Sequence, residues 1–217
     1  MNRGTMRTET ARMCGDKNQT RYTPAEYNTA LDRAQEQFAL DSRVLWRDQS
    51  WTTEDGLATY DLPSDFMYED WVQYDGAELK PISRHEIARL KGQDWASETG
   101  TPEYYIVDPE EARKQVRVCP IPVEAKPLVM RHYPLPASMS GDTSVPLNSS
   151  SLMAQFHLSL CAFAAWLLLT AEIQTPEIVT KRNELMAIYL DGKNRAIDTF
   201  KNTASAGFTI RGTRLWS

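Results

Sequence analysis

The stretch that most limits what this chain can become lies between Leu152 and Ile173. It reads Leu152, Met153, Ala154, Phe156, Leu158, then Leu160 to Leu169 with no charged residue. A helix that is apolar on nearly every side must be buried, either in protein or in lipid. The run is long enough for a membrane span. Gln155, His157 and Ser159 interrupt it, however, and no basic flank follows. The expectation is therefore a buried core helix over about residues 149–173, with candidate N-caps at Asn148, Ser149 and Ser150. His157, among apolar neighbours, reads as a hydrogen-bonded core histidine rather than a ligand.

A second helix follows at once. Thr175 is a cap, Pro176 suits the first helical position and Glu177 places an acid in the first turn. Ile178, Leu185, Tyr189, Ala196 and Phe200 share one stripe, and Val179, Met186, Leu190 and Ile197 widen it. The short gap at Gln174-Thr175 makes the two helices antiparallel neighbours. The second helix is expected to end near Asn202. Beyond it, residues 204–217 hold Phe208, Ile210, Leu215 and Trp216 with Arg211 and Arg214, and no acid occurs after Asp198. A terminus with no contacts has no reason to carry such residues. Trp and Arg dominate interface energetics. The segment either folds back on its own domain or docks on a partner or a neighbouring subunit. The docking reading makes Phe208, Ile210, Arg211, Arg214, Leu215 and Trp216 the partner-interface residues.

At 217 residues the chain has room for a sizeable core. The net charge of −5 argues against general affinity for nucleic acid. The three cysteines, Cys14, Cys119 and Cys161, are far apart. They form no CxxC and no Cys/His cluster, so no zinc site and no cofactor is expected. An odd cysteine count without an apolar leader points to synthesis in a reducing cytoplasm.

At the other end, residues 5–14 suit a short helix stopped by Gly15-Asp16. Thr23-Pro24-Ala25-Glu26 is a capping box with proline at the first helical position. It opens an amphipathic helix whose stripe, Tyr27, Leu31, Ala34, Phe38 and Leu45, runs to about Trp46. From Trp51 the pattern changes to short strands: Trp51 to Thr53, Leu57 to Pro63, then Tyr68 to Gln73 and Glu78 to Ile82 around the hairpin turn Asp75-Gly76. Ser83-Arg84-His85-Glu86 is a second capping box before a short helix. Tyr104 to Val107, Gln115 to Cys119 and Leu128 to Tyr133 complete the strands. Pro120, Pro122, Pro127, Pro134 and Pro136 are expected to keep them short. Trp51, Trp71 and Trp95 read as small-sheet core. The expected class is α+β and mainly helical: a helical bundle from residues 1–50 and 137–203, a β-rich insert at 51–136, and a docking tail at 204–217.

Candidate chemistry is sparse. His85, His132 and His157 have no partner at metal or triad spacing. Gly76, Gly92 and Gly100 make no phosphate loop, and Ser140-Gly141 no nucleophile elbow. Glu69-Asp70 and Glu110-Glu111 are the acidic pairs that a small carboxylate-dependent hydrolase or nuclease could use. A nuclease also needs clustered metal-binding carboxylates and a basic face, and neither pattern is visible.

The order of motifs resembles the head-to-tail adaptor (connector) proteins of tailed bacteriophages, the ring beneath the portal. The resemblance rests on Thr23-Pro24-Ala25-Glu26 opening a helix through Ala30-Leu31 and Phe38-Ala39, and on Tyr60-Asp61-Leu62-Pro63-Ser64-Asp65-Phe66. Further along come Val72 with Tyr74-Asp75-Gly76, Leu79 and Pro81-Ile82-Ser83. Trp95 is followed by Gly100-Thr101-Pro102-Glu103-Tyr104-Tyr105-Ile106. Val116 with Val118-Cys119-Pro120-Ile121-Pro122 and the closing helical pair complete it. It spans about residues 20–200.

The resemblance implies a non-enzymatic virion protein of the neck, made in the host cytoplasm and assembled as a homododecameric ring. Its partners would be the portal, reached through the C-terminal segment, and nozzle or stopper and tail proteins, with tail fibres a further candidate. DNA would pass through the ring without specific binding, and an acidic surface suits such a passage. The same charge could equally lie on the outside.

Overall fold

The computed structural model describes residues 1–108, 114–147 and 153–212, from Lys201 onward as backbone. The chain divides into two compact units: Met1–Leu45 with Leu135–Ser217, and Trp46–Pro134.

The first unit is built from α1 (Arg3–Cys14), α2 (Pro24–Ser42), α4 (His157–Thr170) and α5 (Pro176–Gly212). Asn2 caps α1 by accepting from the Thr5 N–H at 2.9 Å. Gly15 ends it at φ +80, a left-handed conformation that a side chain would strain. The capping box of α2 is complete: the Thr23 N–H donates to Glu26 at 2.7 Å and the Glu26 N–H to the Thr23 hydroxyl at 3.3 Å. The helix stops at Ser42, short of the expected Trp46, because Arg43 turns left-handed. Val44 and Leu45 are nevertheless buried, which is why they continued the apolar pattern.

The apolar run becomes a 3₁₀ turn at Met153–Phe156 and then α4. Residues 148–152, where its cap was expected, lie outside the described residues. Met153–Thr170 is long and apolar enough to cross a membrane, yet 56% of it is buried inside the protein. Leu160, Cys161, Ala162, Ala164 and Ala165 are wholly enclosed, in one core with Met6, Tyr27, Leu31, Phe38 and Tyr189.

The second unit holds two four-stranded sheets. The first has the order β1 (Arg47–Thr52), β8 (Pro127–Pro134), β3 (Phe66–Tyr74), β4 (Ala77–Glu78). The second has the order β2 (Thr59–Asp61), β7 (Gln115–Cys119), β6 (Tyr104–Asp108), β5 (Lys80–Pro81). Asp75 and Gly76 both take positive φ, +49 and +81, as the tight turn between β3 and β4 demands. Phe66, Val72, Leu128 and Met130 from the first sheet share a core with Tyr60, Tyr105, Val116 and Val118 from the second. α3 (Arg84–Lys91) opens at the Ser83/Glu86 capping box and lays Ile87 against Ile106 and Cys119.

The expectation of a mainly helical class, a helical bundle carrying a β-rich insert, is corrected here. The chain is 47% helical and 22% strand, a mixed α+β protein. The prolines misled. Pro127 and Pro134 do not cut β8 short; they are its first and last residues, and the strand is eight residues long with both included. Pairing such as Arg47 with His132 joins positions far apart in the chain, and no local pattern announces it.

Candidate partner interface

The residues expected to meet a partner sit at or beyond the end of α5. Its base is firmly fixed. The Val179 N–H donates to the Thr175 carbonyl at 3.0 Å, and the Ile178 N–H reaches the Thr175 hydroxyl at 3.4 Å. Glu177 is held below the usual carboxylate range, first by its own backbone N–H and then by Thr175. Arg182 donates to Gln174 at 2.6 Å and stands over the Trp166 ring, 5.2 Å from its centroid. Further along, the Tyr189 ring lies 4.5 Å from that of Phe163, and its hydroxyl donates to Asp41 on α2 at 2.7 Å. Burial and the Asp41 carboxylate both push this phenol pKa up. Gly192 lies directly on Ser159, so that α4 and α5 touch backbone to side chain.

The described packing of α5 runs from Ile178 to Phe200. The helix then continues to Gly212, ten residues past the expected end. Nothing in residues 201–212 breaks a helix: there is no proline, Ala204 and Ala206 favour it, and a single glycine such as Gly207 only weakens it. These twelve residues add about 18 Å. Phe208, Ile210 and Arg211 therefore lie on one continuous helix. Arg214, Leu215 and Trp216 lie outside the described residues. Of the second stripe, Val179 and Leu190 are each 41% exposed. Met186 and Ile197 are half-buried, so these four do not all belong to the core as expected.

The candidate chemical groups are dispersed. His157 is enclosed, with Nδ1 2.6 Å from the Met1 amine. Burial, helped by that ammonium, depresses its pKa to about 4. His132 is fully buried, its Nε2 3.8 Å from Asp65, and burial lowers its pKa too. Glu69 borders a 360 Å³ cleft with Ser83, Glu86 and Tyr105. The Glu86 carboxylate is already engaged by the Ser83 hydroxyl at 2.7 Å. Burial and the nearby Glu69 carboxylate push the Tyr105 phenol up to about 12. Asp70 is exposed beside it on β3, while Glu110 and Glu111 lie outside the described residues. Among the described residues, no three His, Cys, Asp or Glu side chains come together as a metal site.

The tryptophans play a part that their spacing did not suggest. Arg131 lies between Trp46 and Trp71, 4.1 and 4.9 Å from the ring centroids, with Asp48 receiving its Nε and Nη2 at 2.8 and 3.1 Å. Arg117 stands over Trp95 at 5.1 Å. Only the register of β1, β8 and β3 brings the first group together. Trp51 and Trp95 also pack against the cores of this unit, as expected.

A model of the SU10 adaptor protein family matches residues 1–211. The chain belongs to that family. No curated protein matches it. The match takes in the first nineteen residues and α5 as far as Arg211, neither of which carried a recognisable motif. Membership gives the adaptor a structural role in a bacteriophage, at the head–tail junction, with portal and tail proteins as its neighbours. Of the six expected contact residues, Phe208, Ile210 and Arg211 fall within the matched region and Arg214, Leu215 and Trp216 beyond it.

Proposed function

We propose that the adaptor assembles as a ring that joins the portal to the tail, with DNA passing through the opening, and that residues 204–217 dock on the portal. The observation that carries this reading is α5, 37 residues and so about 55 Å of helix, anchored over its first two-thirds by the core. Its far end carries Lys201 and Arg211 and no acid. In this reading the helix presents the basic, apolar segment in register from every copy. Many weak copies fixed on one ring give high avidity. Phe208, Ile210, Leu215 and Trp216 supply apolar anchors, and Arg211 and Arg214 meet carboxylates. Nozzle or stopper proteins take the opposite face. Twelve copies is the number the family resemblance implies.

The test is the solution mass of the full chain, alone and with its portal, beside a chain lacking residues 204–217. Full-length protein should form a large complex with portal and the shortened one should not. Undiminished portal binding by the shortened chain would rule out the docking role.

A further inference from the structure

The cleft of about 360 Å³ in the second unit has no part in the docking of α5. It lies where β3, β5 and β6 meet the start of α3. Glu69 and Glu86 bring carboxylates to it, Tyr105 a phenol, and Pro81, Ile82 and Val107 apolar walls. No Lys or Arg is among the described residues that line it. Glu86 is spent on the capping box of α3, accepting from the Ser83 hydroxyl at 2.7 Å and the Ser83 N–H at 3.1 Å. Glu69 has no such occupation: no hydrogen bond or ion pair reaches its carboxylate among the described residues. Tyr105 is only 4% exposed, and its hydroxyl makes no hydrogen bond among the described residues either. Buried hydroxyls are normally paired, so this one is a group waiting for a partner.

The electrostatics select the ligand. Burial first, and then the carboxylates of Glu69, Glu78 and Asp70, push the Tyr105 phenol up. At neutral pH it is an uncharged hydroxyl whose oxygen can accept, in a field that repels anions. The cleft therefore calls for a cationic donor. The donor set does not suit a metal ion, since no three His, Cys, Asp or Glu side chains come together among the described residues. We propose that the cleft binds the side chain of an arginine from a neighbouring virion protein, with its guanidinium between Glu69 and Tyr105. A planar guanidinium fans out five donors, enough for both oxygens of a carboxylate and the phenol oxygen at once. An ammonium is a compact point charge and lacks that reach. The methylene stem lies against Pro81, Ile82 and Val107, as long cationic side chains do on apolar surface. The source is a basic partner because residues 46–134 hold seventeen Asp and Glu against ten Lys and Arg, and complementary charge steers such an encounter. The inference does not depend on the ring or on where residues 204–217 dock.

The experiment follows the methyl resonances of Ile82 and Val107 in the full chain, which stay readable in a large assembly, during titration with N-acetyl-arginine amide. Saturable shifts of these methyls are expected, and none from the neutral isostere N-acetyl-citrulline amide. Glu69→Gln should weaken binding by about tenfold or more and Tyr105→Phe by about threefold, with the other methyl resonances unmoved. In adaptor assembled with its portal and tail proteins, the same methyls should already stand at their saturated positions. No saturation, an equal response to citrulline, or full affinity in Glu69→Gln overturns the site. Equal affinity for N-acetyl-lysine amide overturns the choice of arginine. Methyls that keep their free positions in the assembly overturn the partner. Methyls that shift when residues 204–217 are removed, with no probe added, assign the cleft to Arg211 or Arg214 of this chain and also overturn it.

Discussion

Gly192 is the residue on which the α4–α5 contact depends. A Cβ placed there would lie 1.7 Å from the Ser159 hydroxyl oxygen and 2.7 Å from the Ser159 Cβ. The hydroxyl can rotate away, but the Cβ cannot, so the helices must separate. Gly192→Ala should cost ~1–3 kcal/mol by chemical denaturation, despite alanine's better helix propensity. Ser159→Gly in the same chain should recover part of the loss; no recovery would show that the close approach is not the cause. Asp16 is the second such position. It is buried and accepts from the Thr20 and Arg21 N–H groups at 2.9 and 3.0 Å and from the Tyr27 hydroxyl at 2.8 Å. Burial alone would raise its pKa, but these hydrogen bonds outweigh it and the pKa is lowered from 3.8. A depressed carboxylate stabilises the fold fully above its ordinary pKa and loses that contribution as pH falls through the folded value. Asp16→Asn should thus lower Tm at neutral pH, with the gap narrowing on acidification. A gap that stays constant with pH would refute this account.

At the scale of elements, the two capping boxes are the most exposed local devices. Thr23→Ala removes the acceptor for the Glu26 N–H and should cost ~1 kcal/mol, read as a shifted denaturation midpoint with an unchanged slope. Helix α5 behaves differently along its length. If residues 204–217 serve a partner, as proposed, a chain stopped at residue 203, which keeps the buried Leu185, Tyr189 and Ala196, should hold the Tm and spectrum of the full chain within a few degrees. A collapse of stability would mean that the last part of α5 belongs to the core and not to a partner. The sheets are held by long-range register, and there the sensitive residue is Arg131. Replacing it by leucine removes the bidentate contact to Asp48 and the packing against Trp46 and Trp71 together.

At the scale of the whole molecule, the second unit runs without a break from Trp46 to Pro134. β1 near its start and β8 at its end are paired, Arg47 opposite His132. Its ends therefore meet, and it has its own core. Residues 46–134 expressed alone should give a cooperative unfolding transition and dispersed amide resonances. A featureless spectrum would show that the unit needs the rest of the chain to fold. Charge is also uneven at this scale. Residues 46–134 hold seventeen Asp and Glu against ten Lys and Arg, whereas residues 176–217 carry more Lys and Arg than Asp and Glu. If the chain assembles in many copies, as proposed, this asymmetry would orient neighbours during encounter, an effect that weakens with salt.

Much of the local structure was written in the sequence. Thr23-Pro24-Ala25-Glu26 and Ser83 with Glu86 marked two helix starts, because capping needs only a hydroxyl and a carboxylate three residues apart. Asp75-Gly76 marked the hairpin, because that turn needs two positive φ angles in succession. The order of such motifs pointed to a phage adaptor, and the match of the SU10 adaptor protein family named the family itself. What the sequence could not decide were the properties that depend on distant pairs. It did not reveal that prolines flank β8 without shortening it, or that Trp46 and Trp71 enclose Arg131. It also hid that Leu190 and Val179 extend the α5 stripe yet remain exposed, since a helical stripe gives the angle of a residue and not the width of the surface it meets. Periodicity and capping act within a turn or two of chain. Register, helix crossing and the edge of a core are set by atoms that approach only after the chain has closed on itself, and those the tertiary structure alone determined.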